Sequence, residues 1–207
     1  MRIEFWFEFA STYSYPAAMR IERVAANSGV RIDWRAFLLG PIFTSQGWND
    51  SPFNIYGAKG RYMWRDLERL CGELQLPFRQ PATFPRSGLL AARIACHFSE
   101  SAWLPEFVRA VYRANFEHDE DIAAKPTIGK CLAAAGQDPQ PIIAAAELPA
   151  SKEELRLRTE QAVRQGIFGA PSFMVGNELF WGNDRLESAI DWCATHSVRP
   201  SVGTITK

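Results

Sequence analysis

Apolar and charged residues alternate at the start of the chain. Phe5, Phe7 and Phe9 fall on one side and Glu4, Trp6 and Glu8 on the other, which predicts a strand over 3–9. The pattern then changes to helical spacing, with Ala17, Ile21, Val24 and Ala25 on one stripe and a stop at Asn27-Ser28-Gly29. Pro16 tells where this helix begins. Proline is tolerated in the first turn, where its missing N–H has no intrahelical partner, so the helix opens near Ser14 and Ser11 lies on the turn before it. A strand over Val30 to Leu39 completes a β-α-β unit, which implies a parallel pair with a right-handed crossover.

Gly40 to Gly57 reads as a long functional loop, because loops of that length without structure of their own are usually sites or lids. Helix is predicted over Gly60 to Leu74, with Met63, Leu67 and Leu70 inside, followed by a proline-rich connector over Pro77 to Pro85. Further helices are expected over Ser87 to Phe98, Ala102 to Phe116, Thr127 to Ala135 and Pro139 to Ala146. Ser151-Lys152-Glu153-Glu154 has the form of a capping box for a helix running to Gly166. Pro171 to Val175 and Glu178 to Trp181, joined by Gly176-Asn177, read as a hairpin. Gly182-Asn183-Asp184 opens a last helix striped by Leu186, Ile190 and Cys193, and the tail after Pro200 is expected to be loose. The order β-α-β, helical block, α-β-β-α is that of an α/β protein with a thioredoxin-like fold carrying an all-helical insertion. Residues 1–76 and 151–200 form the thioredoxin-like domain and residues 77–150 the inserted helical domain.

Composition narrows the function. The 207 residues are 47% hydrophobic, and 23 Lys+Arg balance 23 Asp+Glu. A neutral chain lacks the phosphate-neutralising patch of a nucleic-acid binder, and a chain this apolar is not disordered. No apolar run reaches the roughly 20 residues of a membrane span, and Glu4 and Glu8 interrupt the first one, so neither a membrane protein nor a signal peptide is expected. A cytoplasmic protein is the expectation. Cys71, Cys96, Cys131 and Cys193 are too far apart for a redox pair or a zinc knuckle and read as small buried hydrophobes. His97, His118 and His196 lack metal-ligand spacing, so no metal is expected.

Three short features carry candidate chemistry, each with a plainer alternative. Ser11 sits where a helix N-terminus favours an anion; it either caps that helix or donates to a ligand's thiolate. The four residues Ser11-Thr12-Tyr13-Ser14 contain no cysteine, which excludes disulfide chemistry there. Pro171 is either an ordinary strand start or the cis partner of Ala170, which would leave the Ala170 backbone free to pair with an extended peptide. Asn183 and Asp184 either cap the last helix or meet a ligand's ammonium and carboxylate. In this topology all three features lie at one end of the sheet.

The stretch Phe5-Trp6-Phe7-Glu8-Phe9-Ala10-Ser11-Thr12-Tyr13-Ser14-Tyr15 resembles the opening of the 2-hydroxychromene-2-carboxylate isomerases, relatives of kappa-class glutathione transferases and of bacterial disulfide oxidoreductases. Gly169-Ala170-Pro171-Ser172-Phe173, Phe180-Trp181-Gly182-Asn183-Asp184-Arg185-Leu186 and Ala58-Lys59-Gly60-Arg61-Tyr62-Met63 are also similar to that family. The resemblance implies a homodimer that binds glutathione in the thioredoxin-like half. It assigns Ser11 to the glutathione sulfur, Ala170 beside Pro171 to the cysteinyl backbone, Asn183 and Asp184 to the γ-glutamyl end, and Asn54 and Lys59 to further contacts. An aromatic substrate would sit beside Thr44, Ser45, Trp48 and Phe84, with Lys59 or Arg35 facing developing enolate charge. The implied reaction is a cis/trans isomerisation by reversible thiolate addition. The loop Gln46 to Phe53 is bulkier and more aromatic than expected for a naphthalene-pathway isomerase. The competing functions are a kappa-like glutathione transferase or peroxidase, which would consume glutathione, and a non-catalytic thioredoxin-like binding protein.

Overall fold

The computed structural model describes residues 1–196; the tail expected to be loose lies outside the described residues. Strands β1 (Arg2–Phe7), β2 (Arg31–Ala36), β3 (Ser172–Val175) and β4 (Glu178–Trp181) make one sheet in the order β2-β1-β3-β4. β1 and β2 are parallel, with Phe5 opposite Trp34 and Trp6 opposite Arg35. β3 runs antiparallel to β1, with Phe173 opposite Phe5, and β4 antiparallel to β3. Helix α1 (Ser14–Ala26) makes the crossover and starts where Pro16 requires. The hairpin turns at Gly176, whose φ of +61° suits a residue without Cβ.

The long loop is not structureless. It folds into α2 (Leu39–Ser45) and α3 (Pro52–Ile55) before α4 (Gly57–Glu73). Pro41 falls in the first turn of α2, where the ring is harmless, and the Ser51 side chain caps α3 by accepting the Phe53 N–H at 3.3 Å. The helical block is α5 (Leu89–His97), α6 (Leu104–Phe116), α7 (Lys125–Ala134) and α8 (Pro139–Glu147), followed by α9 (Pro149–Arg164). The capping box is a correction. α9 opens at Pro149 with no side-chain cap, and Ser151, fully buried inside it, donates its hydroxyl to the Ala145 carbonyl at 2.8 Å. Proline at N1 starts this helix instead. The last helix is likewise two elements, a 3-10 turn (Asn183–Arg185) and α10 (Leu186–His196).

The sheet buries both faces. Phe5, Phe7, Trp34 and Phe173 pack in one cluster with Ile21 of α1 and Ile190 of α10. Trp6, Phe37 and Met174 pack in a second with Ala162 of α9 and Ile42 of α2. The larger cluster continues into the helical block through Phe107, Tyr112, Ile128 and Leu132. Hydrogen bonds reinforce this seam: the Tyr112 hydroxyl donates to the Glu8 carbonyl at 2.9 Å and the Asn115 amide to the Phe9 carbonyl at 3.3 Å.

Candidate active site

β1 ends at Phe7 and α1 starts at Ser14, so residues 8–13 form a turn at the carboxyl end of the sheet. The turn closes on itself, with the Ser11 N–H donating to the Glu8 carbonyl at 3.0 Å. The Ser11 hydroxyl donates to the Ala170 carbonyl at 2.8 Å and receives the Ser14 N–H at a long 3.4 Å. A bond that long caps the helix weakly. The Ala170–Pro171 peptide is cis. The Ala170 carbonyl is therefore not free, as the sequence suggested; it already holds the Ser11 proton. Phe84–Pro85 is cis as well, which no sequence signal disclosed.

Pro171 leads to the third feature. The Gly182 N–H donates to the Pro171 carbonyl at 2.9 Å, and Gly182, at φ +110°, turns the chain into Asn183 and Asp184. Asn183 is buried and gripped by Arg20 of α1. The guanidinium donates to the Asn183 carbonyl at 2.7 Å and to its side-chain oxygen at 3.2 Å, and also pairs with Glu187. Asp184 stays exposed, beside Arg185 at 3.4 Å. The structure thus brings Ser11, Ala170, Pro171, Asn183 and Asp184 into one connected set. Phe168 and Trp181 stand at its rim as an exposed T-shaped pair with centroids 4.9 Å apart.

The other expected residues are placed differently. α4 is tethered to the turn by the Tyr13 hydroxyl on Asp66 at 2.9 Å and the Thr12 hydroxyl on the Met63 sulfur at 3.2 Å. Its first turn carries Lys59, exposed, with its ammonium 4.8 Å from the Tyr56 ring. Asn54 donates its amide to Asp50 and to the Phe84 carbonyl at 3.1 Å, pinning the 50s segment to the proline-rich connector. Phe84 is half-buried against Trp64. On α2 the Thr44 and Ser45 hydroxyls donate back to the Gly40 and Ile42 carbonyls, and Trp48 packs on Phe43. Arg35 is not brought to the Ser11 turn by any contact. It lies on β2 among Glu4, Asp33 and Glu100, at 3.5, 3.4 and 3.9 Å. Three carboxylates already engage its charge.

Sequence reasoning missed two residues. Arg20 belongs to no local motif, and only its partners, more than 160 residues away, reveal it. For Glu8, the pattern says only that it lies, with Glu4 and Trp6, on the side of an alternating strand opposite the phenylalanines. It is buried, its carboxylate accepting the Ala10 N–H at 2.9 Å. Burial pushes its titration up to about 7, outweighing the Ala10 and Ser11 N–H groups that favour the anion. Burial also pushes the Cys71 thiol up to about 12, Cys131 to about 11, and Cys96 upward, so these three thiols stay protonated at neutral pH. Among the described residues no three metal-ligating side chains cluster, and no helix is long and apolar enough to cross a membrane.

Comparisons with known proteins agree with this architecture. The DSBA-like thioredoxin domain matches residues 2–190. The 2-hydroxychromene-2-carboxylate isomerase of Sphingobium xenophagum is 30% identical over 186 residues, covering 89% of this chain and 94% of that protein. Human glutathione S-transferase kappa 1 is 25% identical over 199 residues, covering 89% and 87%. A solved structure of 2-hydroxychromene-2-carboxylate isomerase superposes with a TM-score of 0.79 at 26% identity, covering 92% of this chain and 95% of that one. The fold and these relatives define a thioredoxin-fold enzyme, here without a cysteine pair in the turn before α1. The chain belongs to the DSBA-like thioredoxin family and, within it, to the group of the 2-hydroxychromene-2-carboxylate isomerases.

Proposed function

We propose that the protein is a glutathione-dependent cis/trans isomerase acting on an aromatic, conjugated 2-oxo acid such as 2-hydroxychromene-2-carboxylate. The observation that carries this is the Ser11 hydroxyl, 2.8 Å from the Ala170 carbonyl beside a cis-proline and at the head of α1. The residues present fit a tripeptide with a thiol. A cysteinyl backbone N–H would take the Ala170 carbonyl and release the Ser11 hydroxyl toward the sulfur. The exposed Asp184 carboxylate suits the γ-glutamyl ammonium, and Arg20 holds the Asn183 backbone in place beneath it. Glutathione held by Ser11, Ala170 and Asp184 would supply thiolate chemistry there, reversible addition to an electron-poor double bond that frees it to rotate. The hydroxyl donor and the N-terminus of α1 favour the anion that a free thiol forms only near pH 8.5. Lys59, exposed and free of any carboxylate partner within salt-bridge distance among the described residues, is the donor we assign to developing enolate charge. Arg35, the other sequence-derived choice, is neutralised where it stands.

Two measurements test this. With trace glutathione, substrate should interconvert while the total thiol stays constant; stoichiometric loss of thiol would instead establish the transferase alternative suggested by the kappa relative. Ser11→Ala should lower turnover about 100- to 1000-fold, the effect of losing one donor to a developing anion. Unchanged turnover would remove Ser11 from the chemistry.

A further inference from the structure

Glu8 lies three positions before Ser11 in the same turn, yet its side chain points into the protein. Its carboxylate takes the Ala10 N–H at 2.9 Å, and its carbonyl takes both the Ser11 N–H at 3.0 Å and the Tyr112 hydroxyl at 2.9 Å. One residue therefore sets the position of Ala10 and Ser11. The titratable side chain facing it is Tyr112 of α6, whose own titration is raised by burial and then by Glu8. No lysine, arginine or histidine contributes to the Glu8 shift; the opposing influences are the Ala10 and Ser11 N–H groups. The Ser14 hydroxyl, in the first turn of α1, is buried and makes no hydrogen bond of acceptable geometry, although it faces the Tyr112 hydroxyl.

A buried carboxylate without a cation, drawing on the N–H groups of the turn that is to hold an anion, competes with that anion. The Glu8 carboxylate is bonded to the N–H of Ala10, the neighbour of Ser11, so a thiolate held at Ser11 would share that poorly hydrated turn with it, and like charges in one site raise each other's titration. We propose that Glu8 is a positioning residue of the Ser11 turn that takes up a proton when a thiolate occupies the turn and so keeps the local charge constant. The thiol S–H bond breaks, sulfur keeps the electron pair, and the proton, passing through solvent, ends on a Glu8 carboxylate oxygen. Burial raises the Glu8 titration to about 7, which leaves its carboxyl able to take up that proton near neutral pH. The inference rests on glutathione binding as proposed above.

The test compares the wild type with Glu8→Gln, whose side-chain oxygen still accepts the Ala10 N–H but carries no charge. The thiolate absorbance of bound glutathione is titrated against pH in both. The variant should show about ten-fold more thiolate at a given pH on the rising limb, the size of a nearby like charge. In the wild type, the amide resonances of Ala10 and Ser11 report Glu8 directly. Their midpoint should move up by about one pH unit when glutathione is added and stay fixed with S-methylglutathione, whose sulfur carries no proton to lose. This second measurement needs no variant and decides the matter if Glu8→Gln does not fold. Superimposed thiolate curves and an unmoved midpoint, with glutathione bound, overturn the role of Glu8 alone. Absence of any glutathione binding to the wild type overturns the proposed function, and this inference with it.

Discussion

Glu8 links chemistry to stability at the scale of one residue. Its carboxyl titrates near 4.5 when exposed and near 7 in the fold, with burial the larger cause and the two N–H groups the smaller, opposing one. The folded state therefore binds more protons than the unfolded chain between these values. The contribution is fully present below 4.5 and is lost as pH rises through 7. The span corresponds to a loss of order 3 kcal/mol. Urea unfolding of the wild type should show this decline between about pH 4.5 and pH 7, and Glu8→Gln should be flatter by the same order. Parallel pH profiles would mean that Glu8 is ordinary. This residue illustrates a limit of pattern. Alternation places Glu8 with Glu4 and Trp6, but whether such a position meets water depends on the elements that later cover it. Ser11, Ala170, Pro171, Asn183 and Asp184 were legible because their motifs are local, whereas Arg20 became visible only through its distant partner Asn183.

At the scale of elements, local chemistry foretold some units and long-range packing decided others. The hairpin came out with its Gly176-Asn177 turn, and α1 began at the turn that Pro16 dictates. α2 and α3 were hidden because Gly40, Pro41 and Gly47 look like breakers, while their anchors, Ile42 on Trp6 and Phe37 and the Ser51 cap, are tertiary or single-residue features. The junction of α3 and α4 has a sharp steric test. A Cβ on Gly60 would sit 2.2 Å from the Phe53 carbonyl oxygen, a backbone atom that cannot swing aside. Gly60→Ala should cost about 1–3 kcal/mol, as overpacking does, and shift the segment that carries Asn54. The Asn54 side-chain amide resonances should then lose the signature of their bond to the Phe84 carbonyl; unchanged stability and resonances would show that the two helices separate freely. Arg20→Lys should act on the other wall. Lysine lacks the fork that grips Asn183 twice, so glutathione affinity should fall about ten-fold by calorimetry, whereas an unchanged affinity would make Arg20 irrelevant to the γ-glutamyl end.

At the scale of the whole molecule, chain topology and core do not divide in the same place. On the sequence alone, residues 77–150 are expected as an insertion between the two parts of a thioredoxin-like unit. By packing they are not separable: Phe7 meets both Tyr112 of α6 and Phe9 edge-on, Phe9 lies tilted against Tyr112 at 5.4 Å, and Phe9 meets Phe107 at 6.4 Å. Gly88, where the connector enters α5, has room for no side chain because a Cβ there would lie 2.5 Å from Phe9. The Ser11 turn is the seam itself, since Tyr112 and Asn115 of the helical block hold the Glu8 and Phe9 carbonyls. A shared core of this kind makes the helical block and the sheet unfold together. Phe107→Ala removes a fully buried ring from that core and should cost about 3–5 kcal/mol. If the core is one unit, the calorimetric trace of the variant remains a single transition, with sheet and helical probes melting at the same lowered temperature. If the block were an independent domain, Phe107→Ala would split the trace, leaving the sheet transition at the wild-type temperature while the helices melt early. The geometry of the Ser11 turn would then survive loss of the block, which its carbonyl partners on α6 argue against.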